Sequence, residues 1–250
     1  MSSVTSVTVR DAVILAAGNG DRFKNPHRES KLLHPVLGQP LIIRTLETAA
    51  AAGLTRLTVV LGYQAERVRT AIERHGIPGV KLQFAVNPDW DLENGVSAFA
   101  AREVCRADRF ALLMGDHLFE SAALEKLVSL DVDDTDSVLG IDRVTTDPGI
   151  VAEATKVRLA GDRIVAIGKH LTTWDAIDTG MFLFTPALFD ALEEAIDVGE
   201  TTLSHGVQRL AAAGLMRGAD LGRSSWCDID TLEDLQLAES LFRAPEPDAA

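Results

Sequence analysis

The sequence predicts an α/β protein built on a doubly wound, mostly parallel sheet. Short apolar segments of strand length alternate with helical segments in the first half of the chain, which is typical of parallel strands joined by helices. The first apolar segment, 12–16, runs directly into a glycine-rich loop. Of the 250 residues, 46% are hydrophobic, which is enough for one sizeable core. We therefore expect one domain over residues 11–243, between a flexible N-terminus (1–10) and a flexible tail (244–250).

The loop after the first strand has the composition of a triphosphate-binding site. Gly18 and Gly20 carry no Cβ, so backbone N–H groups can approach an anion closely. Arg22 adds a planar donor fork for phosphate oxygens, and Lys31 adds a compact charge. A simpler interpretation is a strand-to-helix turn with a solvated arginine. The phosphate-binding hypothesis assigns the nucleotide to Leu15, Ala16, Ala17, Gly18, Asn19, Gly20, Asp21, Arg22 and Lys31.

Two other phosphate-binding loops do not match this sequence. No Gly-Lys-Ser or Gly-Lys-Thr follows the glycines, so the loop is not a Walker A loop. The third glycine of the dinucleotide fingerprint is also absent, which disfavours a nicotinamide dehydrogenase.

Charge and composition limit the partners. The net charge of −13 argues against nucleic acid or an anionic membrane as a partner, although Mg²⁺ and a few basic residues would neutralise a bound nucleotide locally. Cys105 and Cys227 lack metal-binding spacing and are expected to be reduced thiols. The sequence shows no signal peptide and no apolar run near the roughly 20 residues of a membrane span. We expect a soluble, cytoplasmic protein without membrane insertion, whose oligomeric state stays open, a homodimer included.

Regular alternation continues up to a short polar motif. We expect a helix over 40–52, a strand over 57–61, a helix over 65–75 and a strand over 80–86. Asn94-Gly95-Val96-Ser97 then opens a helix that runs to about residue 107. Gly95 would let the backbone approach a base, and Ser97 either hydrogen-bonds that base or caps the helix. The spacing leaves these alternatives open.

An acidic residue follows the next predicted strand, 109–114. Asp116 lies just past the carboxyl end of this apolar segment, where open α/β sheets bind their ligands. Because Mg²⁺ prefers carboxylate and phosphate oxygens, Asp116 is a candidate metal ligand. The alternative is that it caps the following helix. His117 either orients a ligand or packs beside the site.

The second half of the chain departs from the alternation. The acidic run 131–136 is expected to be a solvated turn, followed by a strand over 137–141. Segments 154–159 and 163–169 form a predicted hairpin with a turn at 160–162, which suggests an acceptor-binding insertion built on antiparallel strands. Lys156 lies on one face of this hairpin, and Lys169 lies just beyond its second strand. The triplet 178–180 either binds polyol hydroxyls or is a plain turn into the strand 181–184.

The last motif, 226–234, is acidic. In a strand, Asp228 and Asp230 would share one face, and pairing with Asp116 around Mg²⁺ would relieve their repulsion. Asp230 or Thr231 would cap the final helix, which extends to about residue 242.

Several of these motifs carry a family resemblance. LAAGNGDRF with SKLLHPVLGQPLI resembles the signature of the sugar-1-phosphate nucleotidyltransferase superfamily. MGDHLF, EATKVRLAGDRIVAIGKHL, DAIDTGMFLF and WCDIDTLEDLQLAE resemble the L-myo-inositol-1-phosphate cytidylyltransferase domain over about 11–242. The resemblance implies a single Rossmann-like domain of the nucleotide-diphospho-sugar transferase type, with a mixed sheet and an antiparallel acceptor-binding insertion. It also implies transfer of CMP from CTP to inositol-1-phosphate or a similar phosphorylated alcohol, with release of pyrophosphate.

The resemblance also implies residue roles. Arg22, Lys31 and Asp116 would be catalytic, with Mg²⁺ as the cofactor. The nucleotide-binding set would add Asn94, Gly95, Ser97 and Asp116 to the loop residues. The acceptor-binding set would be His117, Lys156, Lys169, Asp178, Thr179 and Gly180, and the metal ligands would be Asp116, Asp228 and Asp230.

Two departures from the family pattern qualify this expectation. No membrane-spanning synthase segment follows, so we expect the chain to make only the activated alcohol. Asp21 stands where relatives often carry a small hydroxylated residue. Alternatives are another cyclitol or sugar phosphate, phosphocholine or a phosphonate as acceptor, and another NTP as donor. A non-catalytic regulatory subunit is a further alternative, disfavoured because Lys31 and the acids are present.

Overall fold

The structure is a computed structural model that describes residues 9–23, 29–145 and 148–243. The strands are β1 Asp11–Ala16, β2 Pro35–Val36, β3 Gln39–Pro40, β4 Arg56–Leu61, β5 Lys81–Val86, β6 Phe110–Met114, β7 His117–Phe119, β8 Ser137–Asp142, β9 Lys156–Ala160, β10 Arg163–Gly168, β11 Ala176–Phe184, β12 Met216–Asp220 and β13 Trp226–Asp228. The helices are α1 Leu41–Ala51, α2 Ala65–His75, α3 Asn94–Ala100, α4 Ser121–Val128, α5 Pro148–Glu153, α6 Ala187–Asp197, α7 Leu203–Ala212 and α8 Leu232–Phe242. The predicted tail 244–250 and residues 1–8 of the predicted N-terminus lie outside the described residues.

Nine strands form one mixed sheet in the order β5-β4-β1-β6-β11-β8-β12-β10-β9. The four strands β5, β4, β1 and β6 are parallel, as the alternation in the first half of the sequence predicts. From β11 onward the neighbours are antiparallel, except for the parallel pair β8 and β12. The start of β11 also pairs with β9, so the predicted hairpin of β9 and β10 folds back onto β11. The mixed sheet with its antiparallel insertion is therefore confirmed.

Side chains of the central strand β1 separate into two cores. Ala12 and Ile14 pack with α1, α2 and α4 on one face of the sheet. Val13 and Leu15 pack with α3, α6 and α7 on the other face. This division follows from the two-residue period of a strand, and helices on both faces explain why the whole segment is apolar. Burial of each large aliphatic side chain contributes about 1.5–3 kcal/mol.

Some boundaries differ from the sequence-based expectations. Helix α3 begins at Asn94 as predicted but ends at Ala100, and a 3-10 turn over Ala101–Glu103 replaces the expected continuation to residue 107. Residues 178–180 lie inside the nine-residue strand β11 instead of forming a turn before it. The register of β11 against β8 shifts between Asp178 and Phe182, so the irregularity behind the turn-like sequence is a distortion within the strand.

The acidic run 131–136 is only partly a solvated turn. Asp131, Asp133 and Asp134 are exposed, but Asp136 is buried. Its two carboxylate oxygens accept hydrogen bonds at 2.5 Å from Arg163 Nη1 and Arg217 Nε. These arginines lie in β10 and β12, and Asp136 directly precedes β8, so one carboxylate joins three successive strands of the insertion.

Replacing Asp136 with alanine is expected to destabilise the fold by about 3 kcal/mol. Loss of one partner from a buried ion pair costs about 3–5 kcal/mol, and the partial exposure of both arginines favours the lower end of that range. Asp134→Ala, in the same run but exposed, is the matched control and should change the free energy of unfolding by under about 0.5 kcal/mol. Urea denaturation of both variants measures the difference. Equal midpoints would contradict the proposed junction.

Candidate functional site

The glycine-rich loop lies at the carboxyl end of β1, next to β6 in the sheet. Gly20 adopts a left-handed φ of 66°, and a Cβ at this position would lie 2.9 Å from Cγ of Lys31. Only glycine therefore lets the loop pack on the stem of Lys31. The loop borders a cavity of about 330 Å³ that is also lined by Arg22, Lys31 and Asp116. This cavity places the predicted phosphate-binding loop beside the predicted acidic site.

Lys31 is buried among acidic groups. Its ammonium donates to Asp116 Oδ2 at 2.9 Å, to Asp230 Oδ1 at 2.7 Å and to the carbonyl of Ile229 at 2.9 Å. Burial alone would lower the pKa of Lys31, but the charges of Asp116 and Asp230 outweigh burial and raise that pKa above its ordinary value. Lys31 is therefore a permanent cation at the centre of the acidic cluster.

A short antiparallel pair of strands brings the first and last acidic motifs together. Strand β7 pairs with β13 so that His117 lies opposite Asp228, and Asp116 immediately precedes β7. Ligand atoms of Asp116, His117 and Asp228 all lie within 4.8 Å of one another. His117 Nδ1 lies 3.1 Å from Asp116 Oδ1 and 3.5 Å from Asp228 Oδ1. Asp116 does not cap α4, whose N-cap is Glu120, so the capping alternative is excluded.

The pKa values in this cluster depend on one another. Burial alone would lower the pKa of His117, but the charges of Asp228 and Asp116 raise it to about 9, so the imidazole is protonated at neutral pH. Lys31 and His117 outweigh burial at Asp116 and hold its pKa well below the usual range. Burial raises the pKa of the Asp228 carboxyl. The two cations of the cluster, Lys31 and His117, therefore do not fully balance the charge of its carboxylates, and a further positive charge would be stabilised there.

The donor set of this cluster suits a divalent cation that prefers oxygen ligands. Two carboxylates, Asp116 and Asp228, face the same small volume, and Oδ1 of Asp228 is buried without a hydrogen bond to any described residue. A cation would satisfy that oxygen. The expectation that Asp230 shares one face of a strand with Asp228 is wrong. Strand β13 ends at Asp228, and the carboxylate of Asp230 pairs with Arg22 and Lys31.

The segment after Asp228 is fixed by the start of α8. Thr231 is the N-cap, as one of the two predicted alternatives has it, and its hydroxyl accepts from the Asp234 backbone N–H at 3.1 Å. The Asp234 carboxylate accepts in return from the backbone N–H groups of Asp230 and Thr231. This capping box holds Asp230 where Lys31 and Arg22 reach it.

A larger cavity, of about 1030 Å³, continues from the cluster. Its lining includes predicted nucleotide-binding residues, which we call the nucleotide side: Leu15, Ala17, Gly18, Arg22, Asn94 and Ser97. It also includes predicted acceptor-binding residues, which we call the acceptor side: His117, Lys169, Asp178 and Gly180. Asp116, Asp228 and Asp230 also line it. The remaining loop residues, Ala16, Asn19, Gly20, Asp21 and Lys31, line the smaller cavity.

Three predicted site residues lie outside the lining of both cavities and have structural contacts instead. Lys156 is buried, and its ammonium donates to the carbonyl of Ala152 in α5 at 3.2 Å. Thr179 is buried and donates to the carbonyl of Gly140 at 2.7 Å, because alternate residues of β11 face opposite sides. A Cβ at Gly95 would lie 2.5 Å from the carbonyl oxygen of Thr201, so this glycine permits a close approach of protein backbone. Each has a structural partner in the described chain.

The motif at the start of α3 resolves the alternatives for Ser97. The N-cap of α3 is Glu93, so Ser97 does not cap the helix. Ser97 Oγ accepts from Asn87 Nδ2 at 3.0 Å while the residue lines the large cavity. Asn94 Oδ1 accepts from the backbone N–H of Leu203 at 2.9 Å.

The distorted part of β11 lies against His117. Gly180 has a φ of 75°, and a Cβ there would lie 2.8 Å from Cδ2 of His117. Asp178 Oδ1 accepts from the backbone N–H of Gly180 at 2.7 Å. Burial raises the pKa of Asp178 to about 6. The predicted polyol-binding triplet thus supplies one carboxylate to the cavity.

Asp178→Asn is expected to raise stability progressively between about pH 4 and 6 and to keep the full gain above about pH 6. The folded state keeps a proton that the unfolded chain releases near the ordinary pKa of 3.8, so the free energy of unfolding of the wild type falls between about pH 4 and 6. Asparagine keeps the acceptor oxygen for Gly180 and carries no charge. Thermal unfolding in EDTA from pH 4 to 8 should show a Tm gain for the variant that appears through this window. Asp175→Asn, at an exposed carboxylate, is the control, and a pH-independent gain in Asp178→Asn would contradict the account.

Sequence reasoning missed several cavity residues on the second half of the chain. Trp226 donates from Nε1 to Asp142 Oδ2 at 3.0 Å, and its ring stacks on His117 with centroids 6.4 Å apart. His170, His205 and Gln208 also line the cavity. Trp226 and His170 lie inside segments quoted for the family resemblance, but nothing in those segments points to a cavity, and no short motif contains His205 or Gln208. The helical spacing of Leu203, Val207 and Leu210 could have identified α7 as an amphipathic helix, though not which cavity it borders.

The fold and the site together define a protein of the nucleotidyltransferase class. Residues 12–214 match the MobA-like NTP transferase domain family, and the chain belongs to this family. It is 35% identical over 235 residues to the bifunctional IPC transferase and DIPP synthase of Rubrobacter xylanophilus, covering 92% of this chain and 51% of that protein. It is 40% identical over 126 residues to the CMP-5'-(3-aminopropyl)phosphonate synthase of Streptomyces rubellomurinus, covering 50% of this chain and 20% of that protein. The chain thus spans about half the length of the curated relatives to which it is similar over most of its own length.

The fold also matches solved structures. The inositol-1-phosphate CTP transferase from T. maritima superposes with a TM-score of 0.83 at 24% identity, covering 95% of this chain and 98% of that one. This likeness confirms the predicted fold of the nucleotide-diphospho-sugar transferase type. No helix among the described residues is both long enough and apolar enough to cross a membrane.

Proposed function

We propose that this chain transfers CMP from CTP to inositol-1-phosphate or a closely similar phosphorylated alcohol and releases pyrophosphate. The observation that carries the proposal is one continuous cavity that is lined by Gly18 and Arg22 of the phosphate loop, by Lys169, and by the carboxylates Asp116 and Asp228. Such a cavity suits a reaction between two anionic substrates that needs charge neutralisation where they meet. The names of the R. xylanophilus relative and the T. maritima structure support the choice of substrates.

The nucleotide half of the reaction uses the loop and its cations. The backbone N–H groups of residues 18–20 and the guanidinium of Arg22 bind the β- and γ-phosphates. Lys31 stabilises the charge that develops on the α-phosphate. To reach that phosphate, its ammonium moves away from one of its two carboxylate partners. Asn94 and Ser97 line the side of the cavity assigned to the nucleobase.

The carboxylates Asp116 and Asp228 would hold Mg²⁺ together with substrate phosphate oxygens. When bound, Mg²⁺ supplies Lewis-acid stabilisation of charge on those oxygens. His117 orients the Asp116 carboxylate through Nδ1 at 3.1 Å and lies 3.5 Å from Asp228 Oδ1, and Asp230 keeps Arg22 and Lys31 beside them.

The acceptor half of the reaction lies toward β10 and β11. Lys169 binds the acceptor phosphate, and Asp178 accepts a hydrogen bond from a ring hydroxyl. An oxygen of the acceptor phosphate attacks the α-phosphorus, the new P–O bond forms as the bond to the β-phosphate oxygen breaks, and pyrophosphate leaves with that electron pair. No strong base is required, because a phosphate monoester is already ionised at neutral pH.

A substrate matrix with pyrophosphate release as the readout tests this proposal. The purified chain is assayed with Mg²⁺ and each of CTP, UTP, ATP and GTP against inositol-1-phosphate, glucose-1-phosphate, phosphocholine and 2-aminoethylphosphonate. The expected result is turnover with CTP and inositol-1-phosphate, and none with unphosphorylated inositol. Turnover of phosphocholine, a sugar phosphate or another NTP instead would keep the chemistry and overturn the named substrates.

A phosphonate is the second candidate acceptor. The similarity to the phosphonate synthase of S. rubellomurinus, 40% over half of this chain, favours it. In the matrix above, preference for 2-aminoethylphosphonate over inositol-1-phosphate would establish this alternative. Either activity, together with two free buried cysteines, supports a cytoplasmic location for the protein.

A further inference from the structure

Helix α7 contacts both sides of the large cavity. It begins after the N-cap Thr202, whose hydroxyl accepts from the His205 backbone N–H at 3.3 Å. The side chains of His205 and Gln208, near the start and the middle of the helix, line the cavity. Gly206 packs closely against α6, because a Cβ at this position would lie 2.7 Å from Cδ2 of Leu192. Tight packing on α6 therefore fixes the position of α7.

The nucleotide side of the cavity is attached to the beginning of α7. The backbone N–H of Leu203, the first residue of α7, donates to Asn94 Oδ1 at 2.9 Å. Gly95 lies directly against the preceding backbone, because its Cβ would be 2.5 Å from Thr201 O and 2.7 Å from Thr202 O. The start of α3 thus has a fixed separation from α7.

The acceptor side of the cavity is attached to the same helix one and a half turns later. Gln208 Nε2 donates to the carbonyl of Ile167 at 2.8 Å. Ile167 is the penultimate residue of β10, and Lys169 follows the strand. Lys169 is exposed and makes no hydrogen bond or ion pair with a described residue, so its own side chain does not hold this segment in place. The amide of Gln208 is the side chain on α7 that ties the strand end to the helix.

We propose that Gln208 is a positioning residue for the acceptor, and that α7 sets the distance between the two halves of the site. Asn94 connects the helix to the nucleotide side, and Gln208 connects it to the Lys169 segment. The proposal rests on the proposed function in assigning Lys169 to the acceptor. In-line transfer requires the two substrates to be held at a precise separation, and a misplacement of about 1 Å can cost a hundredfold in rate.

The first test is steady-state kinetics of Gln208→Met, which keeps the side-chain length and removes the donor. The expected result is a rise of about 3- to 10-fold in KM for the acceptor, as for loss of one neutral hydrogen bond, with KM for the nucleotide unchanged. Arg209→Met is the matched control on the same helix, because Arg209 contacts Glu200 and the carbonyl of His205. It should lower Tm without changing KM for the acceptor. Equal effects of Gln208→Met on both KM values would overturn the proposal.

A double-mutant cycle separates positioning from a purely structural role. If Gln208 acts through Lys169, Gln208→Met should have little further effect on KM for the acceptor once Lys169→Met is present. Additive effects of the two substitutions would show that Gln208 acts independently of Lys169, and would overturn the proposal.

A third measurement does not depend on the acceptor. Hydrogen exchange of the backbone amides at 168–171 should be faster in Gln208→Met than in the wild type and in Arg209→Met. If the wild type turns over a different phosphorylated acceptor, the substrate assignment under the proposed function is wrong. The kinetic tests of Gln208 are then carried out with that acceptor. Unchanged exchange at 168–171 in Gln208→Met would overturn the positioning role whatever the acceptor is.

Discussion

Asp116→Asn is expected to lower turnover by at least about a thousandfold while leaving the fold intact. In the proposed metal site, removing this charged ligand should withdraw several kcal/mol of transition-state stabilisation, and each 1.36 kcal/mol corresponds to a tenfold change in rate. The side chain is 28% exposed, so its substitution removes little from either core. The measurements are pyrophosphate release at saturating Mg²⁺ and Mg²⁺ binding by calorimetry.

Glu120→Gln is the matched control for Asp116→Asn. Glu120 is an exposed acid that directly follows β7, whereas Asp116 directly precedes it, and Glu120 makes no side-chain capping bond at α4. It should keep wild-type turnover and Mg²⁺ binding. If Asp116→Asn keeps near-normal Mg²⁺-dependent activity, Asp116 does not belong to the metal site.

Lys31→Met is expected to lower kcat by about a hundred- to a thousandfold and to change KM for the nucleotide much less. The reason is that an interaction with charge developing on the α-phosphate is stronger in the transition state than in the ground state. Steady-state kinetics with the nucleotide varied at saturating acceptor separates the two parameters. A higher KM with unchanged kcat would show that Lys31 contributes uniform binding instead.

The same variant should also change stability in a metal-dependent way. Loss of the buried ammonium leaves Asp116 and Asp230 facing each other without their common cation, which should cost about 3–5 kcal/mol in EDTA. Mg²⁺ should raise Tm more in Lys31→Met than in the wild type, because it replaces part of the lost positive charge. Lys81→Met, at an exposed lysine of β5, should show neither effect. Equal Mg²⁺-induced shifts in all three proteins would contradict this account.

Local sequence patterns predicted much of the fold. The apolar segment of β1, the amphipathic helix α2 and the hairpin of β9 and β10 agree with the structure to within one or two residues. The apolar run of β1, the helical period of α2 and the alternation in the hairpin are each local, and each ends at a clear glycine or polar boundary. Strands β7 and β13 have only three residues each and exist because they pair with each other, so no window of sequence identifies either of them.

The misplaced residues share a physical reason. Lys156, Asp136 and Thr179 are polar side chains whose burial depends on which strand lies beside them. Alternation along a strand predicts that neighbours face opposite sides, but it does not predict which side borders a cavity. The sheet order, in which β11 contacts β6, β8 and β9, decides that question, and this order is set by long-range packing.

The contact between Lys31, near the start of the chain, and the segment that follows β13 has a consequence for folding during translation. Lys31 bonds to Ile229 and Asp230, which lie 198 and 199 positions further along the chain. Contacts at such sequence separation form late, because the loop-closure entropy must be overcome before they contribute any stabilisation. A nascent polypeptide on the ribosome therefore contains β1, its glycine loop and the parallel strands before Ile229 and Asp230, two of the partners of Lys31, have been synthesised. The acidic cluster around Lys31 can be completed only after the segment that follows β13 has been made.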